Sequence, residues 1–236
     1  MTQSKNPRRE ALYGAFRAAF PNTIPVLTGF LALGTGYGLL MQSKGYGLQW
    51  SLPMSLLVFA GSMQYVAVTL LTTVFDPIQA FLMSIMVNAR HLVYGLSMLD
   101  KYKGLGKARF FLIYMLCDET YSIASSIDPP EGVERKYFYL FISVLDDCYW
   151  FTGTAIGAIL GGLIKFDITG VDFVLTALFV VLFIEQLRDR GHIPSGVIGV
   201  LSSVAALLIF GGGNMVIPAM LIILVILLVG REKLCS

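Results

Sequence analysis

Charge is what this sequence has least of. Of its 236 residues only 14% are Asp, Glu, Lys or Arg, 56% are hydrophobic, and the mean hydropathy is +0.74. A soluble domain carries about a quarter of its residues charged, so an ordinary soluble enzyme is excluded. Cysteine and histidine are scarce too. Cys117, Cys148 and Cys235 are odd in number, form no C-x-x-C, and have only His91 and His192 to join them, which indicates neither a disulfide framework nor a zinc site. No cofactor is expected. The polar first 19 residues are followed by an apolar run without an A-x-A site, so no cleaved signal peptide is read, and Arg8 and Arg9 are taken as part of a basic tail rather than a twin-arginine signal. A net charge of +2, scattered along the chain, excludes a nucleic-acid surface.

What the chain has is apolar runs, at 21–43, 51–75, 77–99, 110–127, 136–164, 171–187, 194–210 and 213–230. A helix needs about 20 such residues to cross a bilayer. The expected fold class is an all-α polytopic membrane protein with seven to eight apolar segments, organised as a basic cytoplasmic tail (1–19), one membrane domain (20–230) and a short tail (231–236). Most of the 24 glycines and 9 prolines fall within these runs, as is common in transmembrane helices. Trp50, at the start of a run, reads as an interface anchor.

Two runs look discontinuous. The run 51–75 is interrupted by Gly61, Ser62 and Gln64, and 136–164 carries Asp146 and Asp147 followed by Gly153, Thr154 and Gly157. If every run crosses once, Lys101, Lys103, Lys107 and Arg109 lie outside with Lys44 and Lys165. If both odd runs instead return to the side they entered, that cluster moves inside and Arg135 and Lys136 move out, which strengthens the basic excess of the inner side. The second arrangement is preferred, because broken segments in corresponding halves mark inverted-repeat transporters near their binding site.

The costliest residue is Arg90, deep in the run 77–99. A cation there costs about 3 kcal/mol on insertion scales, so an anion or a wet cavity must face it. Ser84, Asn88, His91 and Gly95 share one polar, small face, with Arg90 about 100° round from His91. Arg90 reads either as facing a substrate carboxylate or as half of a structural ion pair that fixes helix register. The candidate acids are Asp118 and Glu119 in one run and Asp146 and Asp147 in another. One neutralises Arg90, and a buried carboxylate left without a full partner favours its protonated form and can carry a coupling proton. The alternative is that Asp146 and Asp147 are solvated at a polar mouth. A break at Gly61-Ser62-Met63-Gln64 would aim half-helix ends at a ligand, although Ser and Gln also serve as interhelical glue. Trp150, beside the second acid pair, is placed at the border of the cavity.

Gly34 and Gly38, and likewise Gly153, Gly157 and Gly161, recur every four residues and are read as close helix packing rather than a phosphate loop. Ala60-Gly61-Ser62 lacks the second glycine of G-x-S-x-G, so no hydrolase is read, and an enzyme is not expected.

Together these stretches resemble the AzlC family, the large subunit of two-component branched-chain amino-acid exporters. The resemblance runs from Ala19 to Gly230. It rests on Ala60-Gly61-Ser62-Met63-Gln64-Tyr65, Val87-Asn88-Ala89-Arg90-His91-Leu92-Val93-Tyr94-Gly95, Asp118-Glu119-Thr120, Tyr149-Trp150 with its following glycines, and Asp172–Phe179. Met63, Tyr65 and the paired Asp146-Asp147 depart from the family's pattern. The resemblance implies export of leucine, isoleucine, valine, and of methionine or toxic analogues, driven by the proton motive force across a bacterial inner membrane. It also implies a small AzlD-like membrane partner. On that reading Gly61, Ser62, Gln64, Asn88, Arg90, His91 and Trp150 bind substrate, and Asp118, Glu119, Asp146 and Asp147 carry protons. The rival readings are an uncoupled pore for a small solute and a membrane scaffold for the small partner.

Overall fold

The structure is a computed structural model. It describes residues 7–74, 76–163, 180, 183–184, 187–188, 193–212 and 215–230. Most of the run 171–187, the stretch Asp172–Phe179, His192 and the tail 231–236 lie outside the described residues. All described elements are helices: α1 (Pro7–Ser43), α2 (Leu48–Leu57), α3 (Gly61–Thr72), α4 (Pro77–Ser97), α5 (Ala108–Tyr114), α6 (Asp118–Ser126), α7 (Arg135–Leu163), α8 (Ile193–Phe210) and α9 (Val216–Val229). Of these, residues 8–43 of α1 and all of α8 are long and apolar enough to cross a bilayer on their own, and α9 is a shorter apolar helix. The seven to eight separate spans expected from hydropathy are thus not what the described helices show.

The chain forms two compact units. The first contains α1, α2, α3, the second half of α4, α5, α6 and α7; the second contains the first half of α4 and the α8/α9 pair. In the second unit α4 starts where Asp76 accepts the N–H groups of Ile78 (2.9 Å) and Gln79 (3.2 Å), with Pro77 at the first helical position. There, too, α8 and α9 bury only small residues, Ser202, Ala206 and Ala219, and their large aliphatic side chains face outward, the pattern of helices solvated by lipid.

The frame of the first unit is the parallel pair α1/α7. Their contacts advance together along both helices, from Phe16 on Phe141 (5.5 Å between ring centroids), through the Thr23 hydroxyl and Tyr149 OH (3.0 Å), to Gly38 beside Ala158. Glycine makes this approach possible. A Cβ on Gly34 would lie 2.7 Å from the carbonyl oxygen of Trp150 and one on Gly153 would lie 2.8 Å from that of Leu31, while Gly38 and Gly157 face the carbonyls of Thr154 and Thr35 at still closer range. The backbones themselves are in contact, as small residues at four-residue spacing allow.

Two broken helices pack on this frame in opposite senses. The α2/α3 hairpin opens at the C-terminal end of α1, where the Tyr46 hydroxyl donates to the Leu71 carbonyl (2.9 Å), and Tyr65 OH donates to Leu33 O (2.7 Å) nearer the middle. The α5/α6 hairpin opens at the other end. Tyr94 and Ser97 of α4 meet Asp118 and Tyr121 of α6 (2.9 and 3.2 Å), and Lys101 donates to the carbonyls of Ser125 and Ile127 (3.0 and 3.3 Å), so α6 runs parallel to α4 and returns to the end where α5 began. Arg135, at the start of α7, donates to Lys101 O (2.7 Å) at that same end. A long helix followed by a broken hairpin therefore occurs twice, as α1 with α2/α3 and as α4 with α5/α6, the second copy inverted.

This corrects the reading of where the breaks fall. The first falls at Val58-Phe59-Ala60, just ahead of residues 61–64 where the sequence placed it, and these instead form the first turn of α3. The second is not in 136–164, which is one continuous helix of 29 residues. Asp146 is met by Thr120, and the helix's glycines take up α1. The run 110–127 is broken instead, at Met115-Leu116-Cys117. One consequence concerns charge. Both arrangements considered from the sequence separated Lys101–Arg109 from Arg135 and Lys136, whereas Lys103, Arg135 and Lys136 here line one cavity with Gly104, Leu105 and Gly106, at the end where α1 begins with Arg8, Arg9 and Arg17.

At that end Asp128 accepts from Lys101 (3.1 Å) and from Tyr139 OH (3.2 Å), and the ammonium holds its carboxyl below the usual carboxylate range. A depressed folded value keeps this link present above the ordinary value of about 3.9 and loses it only as the pH falls through the folded one. Hydrogen exchange in residues 127–134 should therefore give the same opening equilibrium from pH 8 to pH 5. The glycine seam gives a second test. Gly157→Ala should destabilise the protein by about 1–3 kcal/mol in thermal melts, whereas Gly14→Ala, with nothing within 4 Å of the added Cβ, should not.

Candidate functional site

A helix break frees backbone N–H and C=O groups that must find partners, since lipid supplies none. At the first break, Val58-Phe59-Ala60, side chains provide them. The Gln64 amide nitrogen donates to the carbonyls of Met54 (3.1 Å) and Val58, its oxygen accepts from Trp150 Nε1 (2.8 Å), and the Tyr114 hydroxyl donates to Leu57 O. Gln64 is fully buried. Read from the sequence as a ligand group, it is here committed on every side to holding the break together. Trp150 is committed likewise: its indole stacks on Tyr37 (6.1 Å), meets Phe30 edge-on (5.5 Å), and covers Gly61 so closely that a Cβ there would lie 3.0 Å from the ring.

Arg90 joins the two breaks. One guanidinium nitrogen donates to the Ser62 hydroxyl (2.6 Å) in the first turn of α3, and the other pairs with Asp118 (2.7 Å), the first residue of α6. Asp118 also accepts from Tyr94 OH (2.9 Å), one turn along α4 from Arg90. The pair is not sealed in a core, since the two side chains are 41% and 38% exposed. Glu119 follows Asp118 in the same first turn and is partly buried.

The circuit closes through α7. Two residues beyond Asp118, the fully buried Thr120 donates to Asp146 (2.8 Å); one turn beyond Asp146 stands Trp150, bonded to Gln64; and Gln64 lies two residues beyond Ser62. Polar links thus run in a ring from α4 to α3, α7, α6 and back to α4. Asp147 is buried but outside this ring, and no described hydrogen bond or ion pair reaches it. His91 and Asn88 are half-buried on α4, away from the Arg90 contacts, with the His91 ring beside Tyr94 (5.8 Å). The candidate residues therefore separate. Ser62, Gln64, Arg90, Asp118, Asp146 and Trp150 form the ring, Gly61 lies under the Trp150 indole, Glu119 adjoins the ring, and His91 and Asp147 make no described link in it.

Sequence reasoning missed Thr120, Tyr94 and Tyr114 as working parts. Thr120 and Tyr94 stood inside the quoted motifs, and the spacing of Tyr94 four residues after Arg90 was the available signal. Nothing local marks Tyr114 as the partner of Leu57, 57 residues away.

Discontinuous helices meeting at a charged pair, in an apolar chain with bilayer-length helices, define the class as all-helical membrane proteins with broken helices. Residues 25–164 match the family described as AzlC protein, and the chain belongs to that family. It is 47% identical over 202 residues to the branched-chain amino acid transport protein AzlC of Bacillus subtilis, covering 85% of this chain and 79% of that one. It is also 38% identical over 193 residues to an uncharacterized membrane protein of Helicobacter pylori (82% and 85% covered), and 26% identical over 189 residues to one of Archaeoglobus fulgidus (78% and 81%). No solved structure matches the chain.

The bonds at the first break make a checkable demand. Gln64→Leu takes the second donor from the Met54 and Val58 carbonyls and leaves the buried Trp150 indole N–H without an acceptor, so it should destabilise the protein by about 1–3 kcal/mol and redshift tryptophan emission as water reaches Trp150; unchanged melting and emission would remove Gln64 from this role.

Proposed function

We propose that this chain is the large subunit of a secondary transporter that exports branched-chain amino acids, leucine, isoleucine and valine first, in exchange for protons. The observation that carries the reading is the Arg90–Asp118 pair set between two oppositely directed helix breaks, in a chain 47% identical to a protein named for branched-chain amino acid transport. An amino acid is a zwitterion, and this site offers one group of each sign. The substrate carboxylate takes Arg90, assisted by the N–H groups that the first turn of α3 leaves without helical acceptors. The substrate ammonium takes Asp118, and the aliphatic side chain lies against Phe59, Met63 and Trp150. A substrate thus replaces each partner's bond to the other.

Exchange follows from competition. A proton on Asp118 cancels the charge that holds the ammonium, so proton and substrate use the carboxylate in turn, which is the requirement for antiport. Of the four candidate acids, Asp118 is the one in contact with Arg90.

The membrane is the bacterial cytoplasmic membrane. The end bearing Arg8, Arg9, Arg17, Lys101, Lys103, Lys107, Arg109, Arg135 and Lys136 faces the cytoplasm by the positive-inside rule, which puts the N-terminus inside. A small AzlD-like membrane subunit completes the transporter. Its cover is argued from α4, a helix of 21 residues with none buried, whose Arg90 would be costly against lipid.

The test is flux of labelled valine in proteoliposomes holding this chain with and without its small partner, at zero and at imposed pH gradient. Flux should need both chains and follow the gradient. Arg90→Ala should lower it at least ~10-fold, as expected when the substrate carboxylate loses about 1.4 kcal/mol of charged contact, with insertion and assembly unchanged. Asp118→Asn should uncouple whatever flux remains from the gradient. Near-normal flux in Arg90→Ala would sink the site, and wild-type flux indifferent to the gradient would make the protein a pore.

A further inference from the structure

We infer that the break between α5 and α6 holds a small monovalent cation of sodium's size and hardness, on Asp146, the Thr120 hydroxyl and the freed carbonyls of Met115 and Leu116. The two breaks differ in how they are served. At the first, Gln64 and Tyr114 donate to the loosened carbonyls. At the second, the carbonyls of Met115 and Leu116 meet no donor among the described residues, although both residues are buried, 4% and 2% exposed. Asp146 is tied to the same break through Thr120, four residues beyond Leu116. It is 0% exposed, one carboxylate oxygen accepts from Thr120, and the other, fully buried, has no hydrogen-bond partner.

Every unpartnered atom in this group is an acceptor. Buried polar groups are otherwise satisfied almost without exception, so what is missing is a donor or a positive charge. Water supplies donors but leaves the carboxylate's charge unbalanced in a place where an unpaired charge is costly. A single proton would serve one of the three unpartnered acceptors and leave two, and Asp146 pairs with no described cation. Carboxylate, hydroxyl and unwound backbone carbonyls are the oxygen ligands with which broken membrane helices hold sodium. The charge is also matched, one carboxylate to one monovalent ion. Clusters of three or more acids, histidines or cysteines, which a divalent ion would favour, do not occur among the described residues. The neighbouring ionisable groups do not fill the vacancy of charge: Asp118 is spent on Arg90, Glu119 is another acid, Asp147 is turned about 100° away on α7, and Cys117 shares its Sγ with Thr120 at 3.2 Å.

This cation would tie the first turn of α6 to α7, next to Asp118, and the inference does not rest on what the protein transports. The full chain, purified in detergent, is melted in sodium chloride and in choline chloride at equal ionic strength, at pH 6 and pH 8. Sodium well above its dissociation constant should raise the midpoint by roughly 5 °C, saturably. Asp146→Asn should abolish the sodium effect, because the neutral amide removes the charge that holds the ion. Should that variant fail to fold, equilibrium binding of radiolabelled sodium to the unaltered protein decides, saturable binding upholding the site and none overturning it. Melting that ignores sodium and rises as the pH falls would put a proton on Asp146 and overturn the cation. So would an Asp146→Asn protein that keeps the sodium shift.

Discussion

Arg90 is the group on which the rest of the first unit depends. In a chain this poor in charge, a guanidinium halfway along an apolar helix costs about 3 kcal/mol or more unless it is paired, and both of its partners come from helix starts that exist only because two helices are broken. The dependence runs the other way too. A broken helix is tolerable in an apolar setting only where its loosened groups are met by protein, and Ser62 and Asp118 are fixed by the cation between them. Removing any one member exposes the others, which distinguishes this arrangement from an isolated ion pair that apolar residues of similar volume could replace.

The closure of the ring through α7 gives the arrangement rigidity. Gln64 bonded to Trp150 and Thr120 bonded to Asp146 tie the half-helices that follow each break to one straight helix, and that helix is locked to α1 by backbone contact at Gly34, Gly38, Gly153 and Gly157. The glycines and the charged pair thus serve one construction. The seam without side chains makes a stiff two-helix frame, and the polar links hang both hairpins from it.

The sequence made some of this legible. Gly61, Ser62 and Gln64 in an apolar run are a local signal, and the break they announce is present one residue before Gly61. The four-residue spacing of the glycines is equally local, and it gave the close contact but not its partner, which is α1 rather than a second subunit or a hairpin of α7 on itself. The break at Met115-Leu116-Cys117 was hidden because its residues are apolar and include neither glycine nor proline. The available clue was Asp118-Glu119, since two acids together mark the first turn of a helix, and they were read instead as candidate partners for Arg90 within an unbroken run. Asp146 and Asp147 misled in the opposite direction. Acids in an apolar run suggest a break, yet Asp146 is met by Thr120, 26 residues away in sequence, and no local pattern reveals such a partner. Gln64 shows the same limit, because an amide fit for a ligand is indistinguishable in sequence from one spent on its own backbone.

The inverted relation of the two hairpins gives the charged pair its further meaning. Each hairpin opens toward one end of the α1/α7 frame and brings the first turn after its break to the same guanidinium. Ser62 and Asp118 occupy corresponding places, each in the first turn after its break and each bonded to the same guanidinium. They are not chemically equivalent. The hydroxyl can only share Arg90, whereas the carboxylate balances its charge, so a change in the charge state of Asp118 loosens the α6 side and leaves the α3 side bound. On the exchange proposed above, that asymmetry of one charge between two otherwise matched helix breaks would put the coupling in the pair itself rather than in a separate device elsewhere in the fold.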